Sequence, residues 1–312
     1  MIQSNLAFVF PGQGSQKVGM LAELAAANPS VEATFREASD ALGYDAWQMI
    51  QQGQQEEINL TERTQPLLLA SSLAIWRLWN EKGGPLPAQM AGHSLGEWSA
   101  LVCANVLDFA DAIKIVRARG AYMQKAVPVG VGAMAAILGL SDDIILDACN
   151  TARQDDIVDA VNFNAPGQVV IAGTAAAVDR AIRICKEAGA KRAMALPVSA
   201  PFHTRLMQPA AEQLTDLVMS TAFASPRVPV IHNLHGRPES NPETIKTLML
   251  EQIYKPVMWV DCIQGLKATG AELFVECGPG RVLNGLTKRI DRDLTSFSTD
   301  DEASLDNALT SV

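Results

Sequence analysis

The sequence predicts an α/β fold in which a large domain on a mostly parallel sheet is interrupted by a second, smaller α/β domain. Two textures and one junction carry the prediction. Over residues 5–126 and 200–290, short apolar runs alternate with longer helix-like segments, the pattern of a parallel sheet covered by helices. Between these stretches the order changes to strand, helix, two strands, helix, strand. The junction is Gly92-His93-Ser94-Leu95-Gly96, held between the apolar run Gln89-Met90-Ala91 and the helix-like Glu97-Trp98-Ser99-Ala100-Leu101-Val102. It places a strand, a tight turn and a helix in immediate succession.

The strands expected in the large domain cover residues 6–10, 89–92, 228–232 and 273–276, most of them ending in Gly, Pro or Asn turns. Thr64-Gln65-Pro66 opens a helix that Gly83-Gly84-Pro85 stops. Asp108 caps a helix ended by Pro128 and Gly130, and Asn241-Pro242-Glu243 is a cap followed by proline at the first helical position. In the middle unit, strands are expected at 131–138, 157–163, 168–172 and 192–198, with helices over 141–153 and from Thr174 to Gly189. That order, β-α-β-β-α-β, is ferredoxin-like. The predicted division is a discontinuous large catalytic domain, 1–128 and 199–312, with an inserted small domain at 129–198. The tail after Asp291 reads as polar and loosely held.

Composition narrows the function classes. A chain of 312 residues with 48% apolar and 19% charged residues describes a compact globular enzyme. Net charge is −9, which argues against a nucleic-acid partner. The five cysteines are scattered, odd in number and without C-x-x-C spacing, so reduced thiols are expected, with no zinc site. No run approaches the ~20 apolar residues needed to span a bilayer, and residues 6–10 are too short for a signal peptide. A cytoplasmic protein with no membrane partner is expected.

The G-x-S-x-G junction is the context of a nucleophile elbow, in which a strained turn lifts a serine from the sheet edge onto a helix N-terminus. Ser94 is therefore the candidate nucleophile, and the Leu95 N–H a candidate oxyanion donor. A base is needed, and the chain has four histidines: His93, His203, His232 and His235. His93 should point away from Ser94, and His232 and His235 read as ordinary histidines at a strand end. His203 lies in Ser199-Ala200-Pro201-Phe202-His203-Thr204, a loop at the domain junction where clefts form. The loop Pro11-Gly12-Gln13-Gly14-Ser15-Gln16 follows the first strand but lacks both the Gly-Lys-Ser/Thr and the G-x-G-x-x-G spacing. In a hydrolase-like sheet such a loop supplies a second oxyanion N–H, and Gln13 is placed for it. Arg119 sits among apolar neighbours, directly before Gly120. A buried guanidinium there requires an anion, and a substrate carboxylate would satisfy it.

Together, Phe10-Pro11-Gly12-Gln13-Gly14-Ser15-Gln16, Gly92-His93-Ser94-Leu95-Gly96-Glu97, Arg119-Gly120, Phe202-His203 and Cys277-Gly278-Pro279-Gly280 resemble the malonyl-CoA:acyl carrier protein transacylases of bacterial fatty acid synthesis. The similarity runs in order from residue 6 to about 290 and includes Val161-Asn162-Phe163-Asn164-Ala165-Pro166-Gly167-Gln168. The resemblance implies a large hydrolase-like domain with an inserted ferredoxin-like one. It implies Ser94 as the acylated nucleophile and His203 as its base, with Gln13 and Leu95 at the oxyanion and Arg119 on the malonyl carboxylate. A backbone carbonyl at Gln252 would orient the histidine in place of an acid. Malonyl-CoA and an acyl carrier protein are the implied partners, a monomer is expected, and the reaction needs no cofactor. Two basic clusters, Lys186, Lys191 and Arg192, and Lys288 and Arg289, are candidates for carrier docking. Neighbouring readings are another acyltransferase of that family, such as a malonate-decarboxylase subunit or a stand-alone polyketide acyltransferase, and a serine esterase. An esterase would follow its serine with an acid and then a histidine, and has no use for a buried Arg119.

Overall fold

The computed structural model describes every residue except Ser199, at which the large domain is expected to resume. Among the described residues, nine strands form two sheets: β1 (Ile2–Phe10), β2 (Leu86–Gly92), β3 (Gly132–Leu138), β4 (Val158–Ala165), β5 (Gln168–Thr174), β6 (Arg192–Ala195), β7 (Val230–Ile231), β8 (Leu273–Glu276) and β9 (Thr295–Ser298).

The larger sheet has the order β7-β2-β1-β8-β9, and every pairing in it is parallel. β1 lies at its centre, which explains its unbroken apolar run: a strand covered on both faces must be apolar on both. Leu6, Phe8 and Phe10 enter one core, where the Phe8 ring meets Trp76 and Trp79 edge-on at 5.3 and 5.1 Å. The intervening Ala7 and Val9 enter a second core, packed around Trp259, Ile263 and Phe274. The expected strand at 228–232 is reduced to the two residues of β7, because the loop around His232 turns back and pairs Ile231 with Pro238.

Helix Thr61–Glu81 begins three residues earlier than its Thr64-Gln65-Pro66 signal suggests, so Pro66 lies inside it. The start is stabilised locally. The N–H groups of Arg63 and Thr64 both reach the Leu60 carbonyl, and the Thr64 hydroxyl donates to the Ile58 carbonyl at 2.5 Å. The missing Pro66 N–H therefore costs one hydrogen bond in a helix already nucleated. The caps at Asp108 and Asn241 are made by their side chains as expected.

The tail is a correction. β9 adds to the edge of the parallel sheet beside β8, and helix Glu302–Ser311 buries Leu305 and Ala308 in the main core. Leu305 and Ala308 are three apart and so share one helix face. Arg281 bridges to Asp300 and Asp301, and Lys82 to Glu302, fixing the helix start.

The smaller sheet is antiparallel with the order β4-β5-β3-β6, the ferredoxin-like arrangement. Helices Asp142–Arg153 and Ala175–Glu187 cover one face over a core of Ile137, Ile145, Val158, Ile171 and Val178. The opposite face, carrying Met134, Val161 and Val170, packs against Leu196, Val198 and Phe202 and faces the cleft. β4 is tied to the other unit by backbone. The Phe163 N–H donates to the Val257 carbonyl at 3.0 Å, and the Val257 N–H to the Val161 carbonyl at 2.8 Å. No helix among the described residues is long and apolar enough to cross a membrane.

Candidate active site

The site lies where β2 meets helix Leu95–Cys103. Ser94, at the turn, has φ 51° and ψ −106°, a conformation that a side chain adopts only under constraint. Two glycines make the turn sterically possible. A Cβ at Gly92 would collide with the Gly96 carbonyl, and one at Gly96 with the Phe10 carbonyl. Asn233 clamps the turn from the far side. Its Oδ1 accepts the Ser94 N–H at 2.8 Å, and its Nδ2 donates to the Gly92 carbonyl at 2.7 Å. The Gly96 and Glu97 N–H groups return to the carbonyls of His93 and Ser94. The Leu95 N–H, which as the first of the helix has no intrahelical partner, makes no backbone hydrogen bond among the described residues.

His203 also has positive φ, 63°, and its ring sits between two partners. Nε2 is 2.8 Å from Ser94 Oγ, and Nδ1 is 2.7 Å from the Gln252 carbonyl oxygen. A carbonyl can only accept, so Nδ1 carries the proton and Nε2 is the bare acceptor facing the serine hydroxyl. Burial, reinforced by the nearby Arg119 charge, pushes the His203 pKa down to about 3. The ring is therefore neutral at pH 7.

Arg119 projects from helix Phe109–Lys125 and is 1% exposed. Nη1 donates to Gln65 Oε1 and Nη2 to Gln252 Oε1, each at 2.8 Å, and Nη2 also lies 3.3 Å from Ser94 Oγ. Its Nε has no partner among the described residues. Its contacts are neutral amide oxygens and a hydroxyl, so a full positive charge is buried beside the serine without a carboxylate touching it. Burial lowers the Arg119 pKa to about 10, and Glu97 acts in the opposite sense. Such a charge is stabilised strongly by a bound anion.

Gln13 reaches the cleft because Gly12 lets the loop after β1 approach the elbow; a Cβ there would meet the His93 carbonyl at 2.6 Å. Gln13 Nε2 lies 3.4 Å from the Thr61 hydroxyl. Ser94, His203, Arg119, Gln13 and Leu95 all line one cleft of 590 Å³. Gln252 lies behind them, fully buried. Neither basic cluster lines that cleft, and Arg289 is engaged with Gln168 Oε1 at 2.6 Å. The described residues hold no cluster of metal-ligating side chains, and all five cysteines are buried and free.

Several polar residues of the site escaped sequence reasoning. Gln65 was read only as part of a helix start. Glu97 is 1% exposed and accepts from His232 Nδ1 at 2.6 Å and Gln252 Nε2 at 2.8 Å. A lone glutamate in an otherwise apolar helix was the available signal. Nothing local marks Asn233, whose partners lie some 140 residues earlier. His93 Nε2 meets Asn164 Oδ1 across the cleft at 2.7 Å.

A parallel sheet with a strained serine elbow, a histidine on the serine and a buried arginine beside both defines an acyltransferase. Residues 7–296 match the acyl transferase domain family, and the chain belongs to it. It is 53% identical over 306 residues to the malonyl CoA-acyl carrier protein transacylase of Escherichia coli K12, covering 98% of this chain and 99% of that one. It is 42% identical over 307 residues to the enzyme of that name from Bacillus subtilis, covering 98% and 96%. Among solved structures, an acyl carrier protein S-malonyltransferase from Vibrio cholerae superposes with TM-score 0.96 at 54% identity, covering 97% and 99% of the two chains. A malonyl-transacylase solved in complex with a type II polyketide-synthase acyl carrier protein superposes with TM-score 0.98 at 53% identity, covering 99% and 100%.

Proposed function

We propose that the chain transfers the malonyl group from malonyl-CoA to the phosphopantetheine thiol of an acyl carrier protein through a malonyl ester on Ser94, supplying fatty acid synthesis. The observation that carries this reading is Arg119: a buried guanidinium 3.3 Å from the serine oxygen, held only by neutral acceptors. A simple acyl thioester gives such a charge nothing to bind, whereas a malonyl group brings a carboxylate to it. Near-full-length identity to malonyl transacylases supports the same substrate.

His203 Nε2 takes the Ser94 proton as Oγ attacks the thioester carbonyl. The N–H groups of Leu95 and Gln13 donate to the developing oxyanion. The tetrahedral intermediate collapses, coenzyme A leaves as the thiol with the proton held by His203, and the malonyl ester remains. The carrier thiol then gives its proton to His203 and attacks the ester, and Ser94 leaves as the hydroxyl by taking that proton back from His203. The Gln252 carbonyl holds the Nδ1 proton throughout, so the imidazole keeps one tautomer without a carboxylate. Residues 1–128 and 199–312 form the catalytic domain on this reading, with 129–198 as the inserted domain. On this reading the protein works in the cytoplasm, and a monomer suffices because one chain supplies every group named.

Intact mass after exposure to malonyl-CoA tests the proposal. The protein should gain one malonyl group, lose it on addition of carrier protein, and gain none as Ser94→Ala. Arg119→Ala should lose malonyl transfer far more than acetyl transfer. Label on a cysteine, or equal losses for the two donors, would reject the respective assignment.

A further inference from the structure

Beneath the elbow lies a carboxylate that touches neither the Ser94 hydroxyl nor His203. Glu97, in the first turn of helix Leu95–Cys103, offers Oε1 to His232 Nδ1 at 2.6 Å and Oε2 to Gln252 Nε2 at 2.8 Å, with the Asn233 N–H on Oε2 at 3.2 Å. A carboxylate is an acceptor only. It therefore dictates which end of the Gln252 amide faces it: the NH2 group, which also donates to the Ser94 carbonyl at 2.8 Å. The amide oxygen is then turned toward Arg119 Nη2, 2.8 Å away. With the amide reversed, an NH2 group would face a guanidinium, donor against donor, and an oxygen would face both a carboxylate and a carbonyl.

Gln252 thus stands as a neutral spacer between a buried carboxylate and a buried guanidinium. The separation matters. A carboxylate in direct contact would close an ion pair and leave Arg119 little attraction for a ligand. Without a negative group nearby, the buried arginine would be stabilised only by amides. We infer that Glu97 is a positioning residue for acyl-donor selectivity: acting through the Gln252 amide, it keeps Arg119 aimed at the Ser94 cleft while leaving its charge open to the carboxylate of the incoming acyl group. This rests on the reading of Ser94 and Arg119 given above.

The test compares Glu97→Gln, Glu97→Asp and His232→Gln with the unaltered protein, measuring Ser94 acylation by malonyl-CoA and by acetyl-CoA. The readout is the ratio of the two rates, from which the folded fraction cancels. Glu97→Gln offers the Gln252 amide a donor as readily as an acceptor, and the malonyl-to-acetyl ratio should fall about tenfold or more. Glu97→Asp keeps the charge but withdraws it by one methylene, and should lower the ratio by about threefold. If the glutamine variant does not fold, the aspartate variant decides alone. His232→Gln retains a donor toward Glu97 and leaves Gln252 untouched, so its ratio should stay within about twofold of the parent. An unchanged ratio in both Glu97 variants overturns the inference while leaving the Arg119 assignment intact. Equal falls in the Glu97 and His232 variants overturn it too, since they would mark a merely structural network. An unaltered protein that is not acylated on Ser94 removes the underlying reading itself.

Discussion

The elbow and the inserted antiparallel unit fold under opposite rules. The small unit packs Ile137, Ile171, Val178 and their neighbours into a dry aliphatic core, and its ion pairs, Arg180–Asp156 and Arg153–Asp159, lie at the surface. The region around Ser94 buries Glu97, Arg119, His203, His232, Asn233 and Gln252 together, and contains two non-glycine residues at positive φ. Buried polar groups are tolerated only when hydrogen-bonded, and strained dihedrals only when their surroundings over-determine them. Here one network meets most of both demands: Asn233 holds the strained serine, and Glu97 and Gln252 hold the groups that flank it, while Arg119 Nε and His232 Nε2 have no partner among the described residues. Regular packing gives the small unit its stability, whereas the elbow gives up local stability to hold charge and strain where acyl transfer requires them.

The largest test of that contrast removes the proposed base. His203→Ala should slow Ser94 acylation by about 10²–10⁴-fold for malonyl-CoA and acetyl-CoA alike, since both donors need the same proton transfer. Rapid-quench acylation measures it; a selective loss for one donor would place His203 in substrate binding. The pH dependence has a definite sign. The native state favours the neutral ring, with a pKa near 3 against an ordinary value of 6.5. Protonation of His203 should therefore not slow acylation between pH 8 and 5. Its contribution to stability is complete above pH 6.5 and is lost as pH falls from there toward 3. Arg119→Ala removes one of the charges that depress His203, and should move the acid limb of the acylation profile to higher pH.

A sharper test converts the spacer into a partner. Gln252→Glu places one carboxylate oxygen directly on Arg119 and turns the other toward Glu97 and the Ser94 carbonyl, while keeping the backbone carbonyl that orients His203. Malonyl transfer should fall about 10–100-fold, with acetyl transfer reduced less, because the ion pair now occupies the group that the malonyl carboxylate would bind. Equal falls for both donors would show that the Gln252 side chain serves the elbow rather than Arg119.

The clamp comes next in size. Asn233→Ala leaves the Ser94 N–H and the Gly92 carbonyl buried without partners, at a cost of about 1–3 kcal/mol for each group. The denaturant midpoint should fall, and acylation should slow for both donors as the turn relaxes. A variant of full stability would show that the two glycines alone hold the strain.

These contrasts explain what the sequence made legible. The small unit was readable because its signals are local: short apolar runs set between turns, Thr174 and Gly189 at the helix ends, the Asn164-Ala165-Pro166-Gly167 turn. Ser94 was readable for the same reason, its elbow being five consecutive residues. The supporting network was not, because its partners lie far apart in the chain: Glu97 and Gln252 by 155 residues, Ser94 and Asn233 by 139. No periodicity encodes such pairs. The tail was misread because β9 is a polar edge strand, and the two buried apolar residues of helix Glu302–Ser311, Leu305 and Ala308, are few beside its acidic N-cap Asp301 and first-turn Glu302.

The smallest expected effect lies in the small unit and provides the control for the rest. Ile137 is fully buried in β3, and Ile137→Val removes one methylene from a core that is otherwise satisfied. It should cost about 0.5–1.5 kcal/mol, read from the urea midpoint at unchanged slope. The malonyl-to-acetyl ratio should not move, because no polar group changes partner and neither flanking residue of Ser94 is reached. A shift in that ratio would mean that the small sheet, whose other face lines the cleft through Met134 and Val170, transmits its packing to the substrate. The division between a stabilising unit and a chemical one would then fail.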